Sequence, residues 1–209
     1  MTVLGRRTVL DLLTTLGRTM GFSFAAGINL YATVAILGLA ERFGWVQLPD
    51  QFAVFDNDVV IGAALTLYVI EFVADKVPWL DSLWDAIHTL IRPVGGALIA
   101  VTAMGNVSPT VEGLAALLGG TLAAGSHFTK AGTRAIANTS PEPFSNWALS
   151  LAEDVFVIGL STLALKFPLI AAAVVAAGVV IILTFAAWIA RGIRRRWGKS
   201  PAGEVPATR

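Results

Sequence analysis

The run of 24 uncharged residues from Phe167 to Ala190 constrains this chain more than any other feature of its sequence. A helix needs about 20 apolar residues to cross about 30 Å of hydrocarbon, and this run is longer. The composition agrees, because 56% of the 209 residues are hydrophobic and only 14% are charged. Ordinary soluble domains carry about 25% charged residues. A soluble enzyme and a disordered chain are therefore excluded. The sequence contains no cysteine, so disulfide bonds are excluded as well.

Six segments in all are predicted to cross a membrane. The first five in chain order are Thr19–Ala40, Val59–Ala74, Ala86–Gly105, Gly113–Thr129 and Trp147–Leu165. The third has an alternative interpretation as a segment that re-enters the membrane, because Pro93–Met104 alone is too short to cross. The predicted fold class is therefore an all-α, polytopic membrane helical bundle with about six transmembrane helices.

The distribution of lysine and arginine predicts the orientation of the bundle. If the chain begins inside and six spans alternate, 13 of these residues fall on the inner side and 2, Arg42 and Lys166, on the outer side. Short loops that remain in the cytoplasm carry such an excess of positive charge. Both termini are therefore expected in the cytoplasm.

Three regions are predicted along the chain. Residues 1–18 form a basic segment in which Thr8–Leu16 is expected to lie on the membrane surface as a short helix. Residues 19–191 form the transmembrane domain, and residues 192–209 form a basic tail expected to be disordered. Both basic ends are expected to contact anionic lipid headgroups. No nucleic acid is expected as a partner, because no surface that reads bases accompanies these charges.

Ionisable residues inside the apolar segments are the candidates for function. An acid at the centre of a span costs about 2.5–3.5 kcal/mol on insertion scales, so it is retained only where it is paired, hydrated or useful. Glu71 and Asp75 lie four residues apart and share one helix face. The third segment carries a longer stripe on one face, at positions i, i+4, i+7 and i+11: Asp81, Asp85, His88 and Arg92. These stripes suit a divalent cation, a proton relay or an internally paired network.

A basic stripe near the end of the fourth segment supplies the matching positive charge. His127, Lys130 and Arg134 lie at i, i+3 and i+7, so they can pair with the acids or bind an anion such as phosphate. The other candidates for binding an ion or a substrate are two amides beside a proline-rich loop, two adjacent acids and an amide in the first segment: Asn138, Asn146, Glu153, Asp154 and Asn29.

Five strings of the sequence carry a resemblance to a known family. They are Ala26–Tyr31, Glu71–Pro78, Asp81–Pro93, His127–Arg134 and Asn138–Asp154. Together they resemble, over roughly residues 20–170, a family of bacterial integral membrane proteins known as domain of unknown function 4126. The resemblance implies no particular activity. It implies that the polar strings belong together and that the chain resides in a bacterial plasma (inner) membrane.

Repeated small residues suggest internal symmetry and close helix packing. Three spans followed by three spans give halves of opposite orientation, as in an inverted repeat. Ala25–Gly27 and Ala123–Gly125 support such a repeat, whereas the proline positions do not match. Small residues four apart predict close approach of helices, and their faces are candidates for a homodimer interface: Gly119/Ala123, Gly120/Ala124 and Ala173/Ala177.

Three functions fit this sequence. The leading hypothesis is a small transporter or channel that moves an ion or a small polar solute through a cytoplasm-facing vestibule lined by carboxylates and histidine. The second is a membrane enzyme for lipid phosphates or isoprenoid diphosphates, with Mg²⁺ held by Glu71, Asp75, Asp81 and Asp85. The third is an assembly or scaffold protein without transport. An enzyme is the less favoured class, no residue is assigned a catalytic role, and no cofactor is expected outside the second hypothesis.

Overall fold

The computed structural model describes residues 3–139 and 144–197, which form seven α-helices and one short 3₁₀ helix and contain no strand. The predicted all-α helical bundle is confirmed. The elements in chain order are α1 (Val3–Ile28), α2 (Leu30–Arg42), the 3₁₀ helix (Asp50–Phe55), α3 (Asp58–Ala74), α4 (Pro78–Met104), α5 (Pro109–Ala137), α6 (Phe144–Lys166) and α7 (Pro168–Trp197).

The first apolar segment is two helices that meet at Asn29, rather than one span. Asn29 has extended backbone angles, φ −145° and ψ 98°, and its side-chain oxygen accepts a hydrogen bond from the N–H of Ala32. Asparagine is a preferred residue at such a helix start, because its side chain satisfies an otherwise free amide. The predicted surface helix Thr8–Leu16 is also not separate, since it is continuous with the rest of α1.

Contacts at both ends of this helix pair show that the chain reverses at Asn29. Near the start of the pair, Gly17 lies against Pro168 at the beginning of α7. At its finish, Arg42 is 2.7 Å from Asp58 at the beginning of α3. Helix α1 therefore descends into the bundle from the end at which α2 leaves it. We call α1 and α2 the hairpin, and this end of the bundle the hairpin end.

The tip of the hairpin reaches the middle of the bundle. The carbonyl of Gly27 lies 3.5 Å from Nη1 of Arg92, which is near the centre of α4. Helices α3 to α7 each extend from one end of the bundle to the other, in alternating directions. The α3–α4 and α5–α6 connections lie at the end opposite the hairpin end. We call this opposite end the network end. Three of these helices, α4, α6 and α7, are long and apolar enough to cross a membrane.

The reversal changes two predictions. First, Thr19–Ala40 does not cross as a single span. Second, α1 begins at the hairpin end whereas α7 finishes at the network end. The prediction that both termini share one side is therefore wrong for the described helices. An uncharged run sets the length of a segment but not whether it turns back. The third segment is one continuous helix rather than a segment that re-enters the membrane, because α4 continues through Pro93 without interruption.

Small residues bring α1, α4 and α5 into close contact. Gly27 in α1 lies against the carbonyl of Ala123 and the hydroxyl of Ser126 in α5, and Gly96 in α4 also lies against Ala123. The two Ala-Ala-Gly strings therefore contact each other. The two halves of the described chain nevertheless differ in topology. The first half begins with the hairpin, whereas the second half begins with α5, which extends from one end of the bundle to the other. The predicted three-plus-three repeat is not seen in them.

The predicted small-residue faces have different environments. Gly119 and Ala123 are buried inside the bundle, whereas Ala173 and Ala177 on α7 are exposed. A homodimer remains a prediction, with the α7 face as its candidate surface. Helix α7 extends to Trp197, so the predicted tail begins as helix. The rest of that tail, 198–209, and residues 1–2 lie outside the described residues.

Candidate functional site

The polar residues singled out in the sequence meet in one place, between the hairpin tip and the network end. Twelve of them are buried, and Asn138 and Glu153 are partly buried. We call the whole set the polar network: Asn29, Glu71, Asp75, Asp81, Asp85, His88, Arg92, His127, Lys130, Arg134, Asn138, Asn146, Glu153 and Asp154. Helices α3 to α6 contribute every member except Asn29, Asp75 and Asn138, which lie at helix ends.

Helix periodicity explains why the stripes point inward. In α4 the four predicted stripe residues are all buried, while Leu83, Ile87, Leu90 and Ile91 between them are exposed. Residues three and four apart lie on the same face of a helix. The same spacing turns His127, Lys130 and Arg134 of α5 toward α4 and α3. Ionisable residues in membrane bundles almost always face the interior in this way.

Arg92 joins three elements at the hairpin tip. Its Nη2 donates to Glu71 Oε1 at 2.7 Å, and its Nη1 lies 3.2 Å from Asp85 Oδ1. Nη1 also donates to Nδ1 of His127 at 2.8 Å. Both Arg92 and Glu71 are fully buried. The guanidinium thus links α3, α4 and α5 below the carbonyl of Gly27.

Lys130 and Arg134 join α5 to the acids of α3 and α6. Lys130 Nζ lies 3.1 Å from Glu71 Oε1 and 3.2 Å from Asp75 Oδ2. Arg134 Nη2 donates to Asp75 Oδ2 at 2.9 Å and to Glu153 Oε2 at 2.7 Å. Bonds from a guanidinium to two carboxylates are among the stronger hydrogen bonds in proteins.

All five N–H groups of Arg134 are committed to acceptors. Nε donates to Glu153, and Nη2 serves both Asp75 and Glu153. Nη1 donates to the carbonyls of Asp75 and Asn146 at 2.9 and 3.2 Å. A guanidinium has five N–H donors, so Arg134 has none to spare.

Two amides close the network at the network end. Asn138 Nδ2 donates to Asp81 Oδ2 at 2.9 Å, and Asn138 Oδ1 accepts from Asn146 Nδ2 at 2.7 Å. Because Asn138 and Asn146 stand on either side of the α5–α6 connection, these bonds fix the start of α6 against α4. Of these three residues, Asp81 is the most deeply buried.

The partners of the two histidines define their tautomers. His88 Nδ1 lies 2.7 Å from the carbonyl of Trp84, so it carries the proton, and Nε2 of the neutral ring accepts from the hydroxyl of Tyr31 at 2.8 Å. His127 Nδ1 accepts from Arg92, so the proton of its neutral ring is on Nε2, which faces Thr89 Oγ1 at 3.2 Å. The two rings therefore present opposite nitrogens to the network.

The network holds more negative than positive charge. It has six carboxylates, whereas its only charged bases are Arg92, Lys130 and Arg134. Buried carboxylate oxygens without a hydrogen-bond partner among the described residues include Glu71 Oε2, Asp75 Oδ1, Asp81 Oδ1 and Asp85 Oδ2. Unbalanced charge away from water is costly, and protein groups neutralise it by taking up protons or cations.

Two cavities reach the network from different sides. A cavity of about 200 Å³ between α4 and α5 is lined by Asp81, Asp85, Thr89 and Arg134. A second cavity of about 330 Å³ among α1, α5, α6 and α7 is mostly apolar, and Lys130 and Glu153 lie in its wall.

The four candidate metal ligands do not converge on one point. Glu71, Asp75 and Asp85 each face a basic side chain, and Asp81 is bonded to Asn138. Within residues 3–139 and 144–197, no group of three or more His, Cys, Asp or Glu side chains is arranged to hold a metal ion. The arrangement thus gives no support to the Mg²⁺-dependent enzyme.

Sequence reasoning missed several contributors to the site. Tyr31 and Thr89 hydrogen-bond the two histidines, and the carbonyl of Gly27 faces Arg92. Tyr31 and Gly27 belong to the string around Asn29, so their closeness to Asn29 in the sequence could have indicated that they belong to the site. Lys76, although next to Asp75 in the chain, forms no salt bridge with an acid of the described residues. Its Nζ lies 3.0 Å above the ring of Phe72, and burial lowers the pKa of Lys76 below its ordinary value.

A helical bundle with three helices able to cross a membrane and ionisable groups at its centre defines an integral membrane protein. The chain belongs to the family described as Domain of unknown function (DUF4126), whose model matches residues 16–191. The resemblance noted in the sequence is thereby confirmed. No curated protein and no solved structure matches the chain.

Proposed function

We propose that this protein is a small transporter or channel that moves an ion or a small polar solute through the polar network. The observation that carries this proposal is the position of the network, which extends from the middle of an otherwise apolar bundle to the network end. Ionisable groups at such positions are expensive and mark ion or substrate pathways in membrane proteins. Six buried or partly buried acids far exceed what three bases need as partners.

The hairpin supports this function. Non-helical backbone at membrane depth is tolerated where it is buried in protein or lines a cavity, and transporters place binding sites at such broken helices. Here the break at Asn29 lies directly above Arg92, and the Asn29 amide is 3.4 Å from Asp154 Oδ1. A ligand that reaches Arg92 from the network end would thus meet the hairpin tip.

The network end is proposed to face the cytoplasm. Among the described residues, eight lysines and arginines belong to the network or to this end, whereas five lie at the hairpin end: Arg6, Arg7, Arg18, Arg42 and Lys166. An excess of positive charge marks the cytoplasmic side. The proposed route enters through the cavity beside Asp81 and Asp85 and continues to Arg92 and Glu71. This orientation agrees with the expected plasma (inner) membrane of a bacterium.

Flux measurements in proteoliposomes test the proposal. The purified full chain is reconstituted, and uptake is followed for a panel of ions and small polar solutes with and without a pH gradient. Glu71→Gln is expected to abolish most of the flux, because it changes the charge at the contact with Arg92 and Lys130. Asp50→Asn, an exposed change outside the network, is the matched control and should keep it. Absence of flux for every solute would contradict transport, and equal flux in Glu71→Gln would contradict a route through the polar network.

A scaffold without transport is the second candidate, and one observation favours it. Arg134 has every N–H committed to groups of its own chain, which is what a bracing network needs. In that case Glu71→Gln would lower stability while the wild-type protein carried no flux.

A further inference from the structure

We propose that a monovalent cation binds in the cavity between α4 and α5, against the side chains of Asp81 and Asp85. This inference rests on the same network as the proposed function and names the class of ion for that site. It requires only binding, so it can be tested separately from flux.

Each of the two acids presents one unused oxygen. Asp81 is fully buried and Asp85 is 5% exposed, and both line the cavity of about 200 Å³. Asp81 Oδ2 is held by Asn138 at 2.9 Å, and Asp85 Oδ1 is held by Arg92 at 3.2 Å. Asp81 Oδ1 and Asp85 Oδ2 have no hydrogen-bond partner among the described residues. Two residues in the wall of one cavity thus each keep a buried acceptor without a donor.

The neighbouring guanidiniums do not supply the missing donors. Arg92 Nε has no partner among the described residues, yet it does not bond Asp85 Oδ2, which also has none. Arg134 also lines the cavity, but its five N–H groups are committed to Asp75, Glu153 and the carbonyl of Asn146. Its Nε is 4.0 Å from Asp81 Oδ1, beyond hydrogen-bond distance. No base of the described residues bonds these two oxygens, so a proton or a cation from outside the chain can balance them.

The remaining polar atoms of the cavity are oxygens that can accept. Thr89 Oγ1 donates its hydrogen to the carbonyl of Asp85, and Ser82 Oγ donates to the carbonyl of Pro78. A hydroxyl that has donated its only hydrogen presents lone pairs to other ligands. Carboxylate and hydroxyl oxygens are the ligands of hard cations. At about 30 Å³ per water, the cavity has room for such an ion with several waters.

The charge of the surroundings favours a single positive charge on the ion. Asp85 already shares its other oxygen with Arg92, and Arg134 forms part of the wall. Attraction by the acids and repulsion by the guanidiniums both double for a divalent ion, so the local balance of charge decides. Arg92 offsets the charge of Asp85, and Arg134 is committed to Asp75 and Glu153, so one positive charge balances the charge that Asp81 keeps. An anion would meet two carboxylates, so Na⁺ is the probe that fits.

Equilibrium binding of radioactive Na⁺ to the full chain in detergent tests this site, with choline chloride holding ionic strength constant. The thermal midpoint is measured in the same buffers. Na⁺ is expected to bind saturably and to raise the midpoint relative to choline. Asp81→Asn and Asp85→Asn should each weaken Na⁺ binding about tenfold or more, because each removes one charged ligand. Asp50→Asn, the same chemical change at an exposed position, should leave binding unchanged.

The outcomes separate this inference from the proposed function. No saturable Na⁺ binding by the wild type, tighter binding of Mg²⁺ than of Na⁺, or unchanged Na⁺ binding in both folded variants would overturn the cation site, even if flux of another solute continued. Na⁺ binding that depends on Asp81 and Asp85 without any flux would support the site and count against transport. If one variant fails to fold, the other variant and the wild type together decide the matter.

Discussion

Arg92 Nη2 and Glu71 Oε1 lie 2.7 Å apart, and both side chains are fully shielded from solvent. This pair joins α4 to α3 immediately below the hairpin tip. Lys130 contacts the same oxygen from α5 at 3.1 Å. One carboxylate oxygen therefore holds two basic side chains from two helices.

Glu71→Gln should lower the free energy of unfolding by about 1.5–3 kcal/mol, because Arg92 and Lys130 lose a hydrogen bond to a charged group while Asp85 and Asp75 remain as their partners. Thermal or denaturant unfolding in a fixed detergent measures the change. Asp50→Asn serves as the control and should stay within about 0.5 kcal/mol of the wild type. A loss below about 1 kcal/mol for Glu71→Gln would show that the network is hydrated rather than dry.

Arg134→Lys should destabilise the protein by about 2 kcal/mol or more, because an ammonium has three N–H donors and cannot replace the five-donor fork. The matched control is Arg42→Lys, since Arg42 contacts Asp56 and Asp58 at the surface. Exposed pairs contribute about 0–1 kcal/mol, so the control should change little. Equal effects at both positions would mean that the bonds of Arg134 carry no special weight.

Gly27→Ala should disturb the crossing of α1 and α5. A methyl group there would clash with the carbonyl of Ala123, so the expected loss of stability is about 1–3 kcal/mol. Gly62→Ala is the control, because that position in α3 has no neighbour within 4 Å. Alanine favours a helix by up to about 1 kcal/mol over glycine, so the control should be neutral or stabilising. The two variants are compared by thermal unfolding, and a neutral Gly27→Ala would contradict the close approach.

Single cysteines test the reversal at Asn29, and the natural chain has none to interfere. Leu10→Cys and Asp50→Cys should react with a membrane-impermeant maleimide from the same side of the membrane. Arg194→Cys should react from the opposite side. All three positions are exposed. Labelling of Leu10→Cys and Arg194→Cys from one side would instead restore a first segment that crosses once.

Much of the site could be predicted because helix periodicity is local. The four ionisable stripe residues of α4 lie at i, i+4, i+7 and i+11, and that spacing is enough to place them on one face. The same reasoning applies to His127, Lys130 and Arg134 on α5. The pairings could not be predicted in this way, since Lys76 lies next to Asp75 in the chain but contacts Phe72.

The first segment shows the opposite case. Twenty-two uncharged residues from Thr19 to Ala40 satisfy the length of a span, and nothing in that length distinguishes a crossing from a hairpin. Asn29 is a residue type that begins helices, yet asparagine also occurs within spans as a hydrogen-bonding group. The contacts of Gly17 with Pro168 and of Arg42 with Asp58 decide between them.

The sequence by itself determined that this chain is an apolar all-α bundle and that its ionisable residues lie on single helix faces, because both follow from local composition and from 3.6 residues per turn. Only the tertiary structure decided that α1 and α2 turn back at mid-bundle, that Arg134 is saturated, and that Asp81 and Asp85 each keep an oxygen without a donor. These features depend on which helices meet and at what height. That is set by the close approach of glycine and alanine surfaces far apart in the chain.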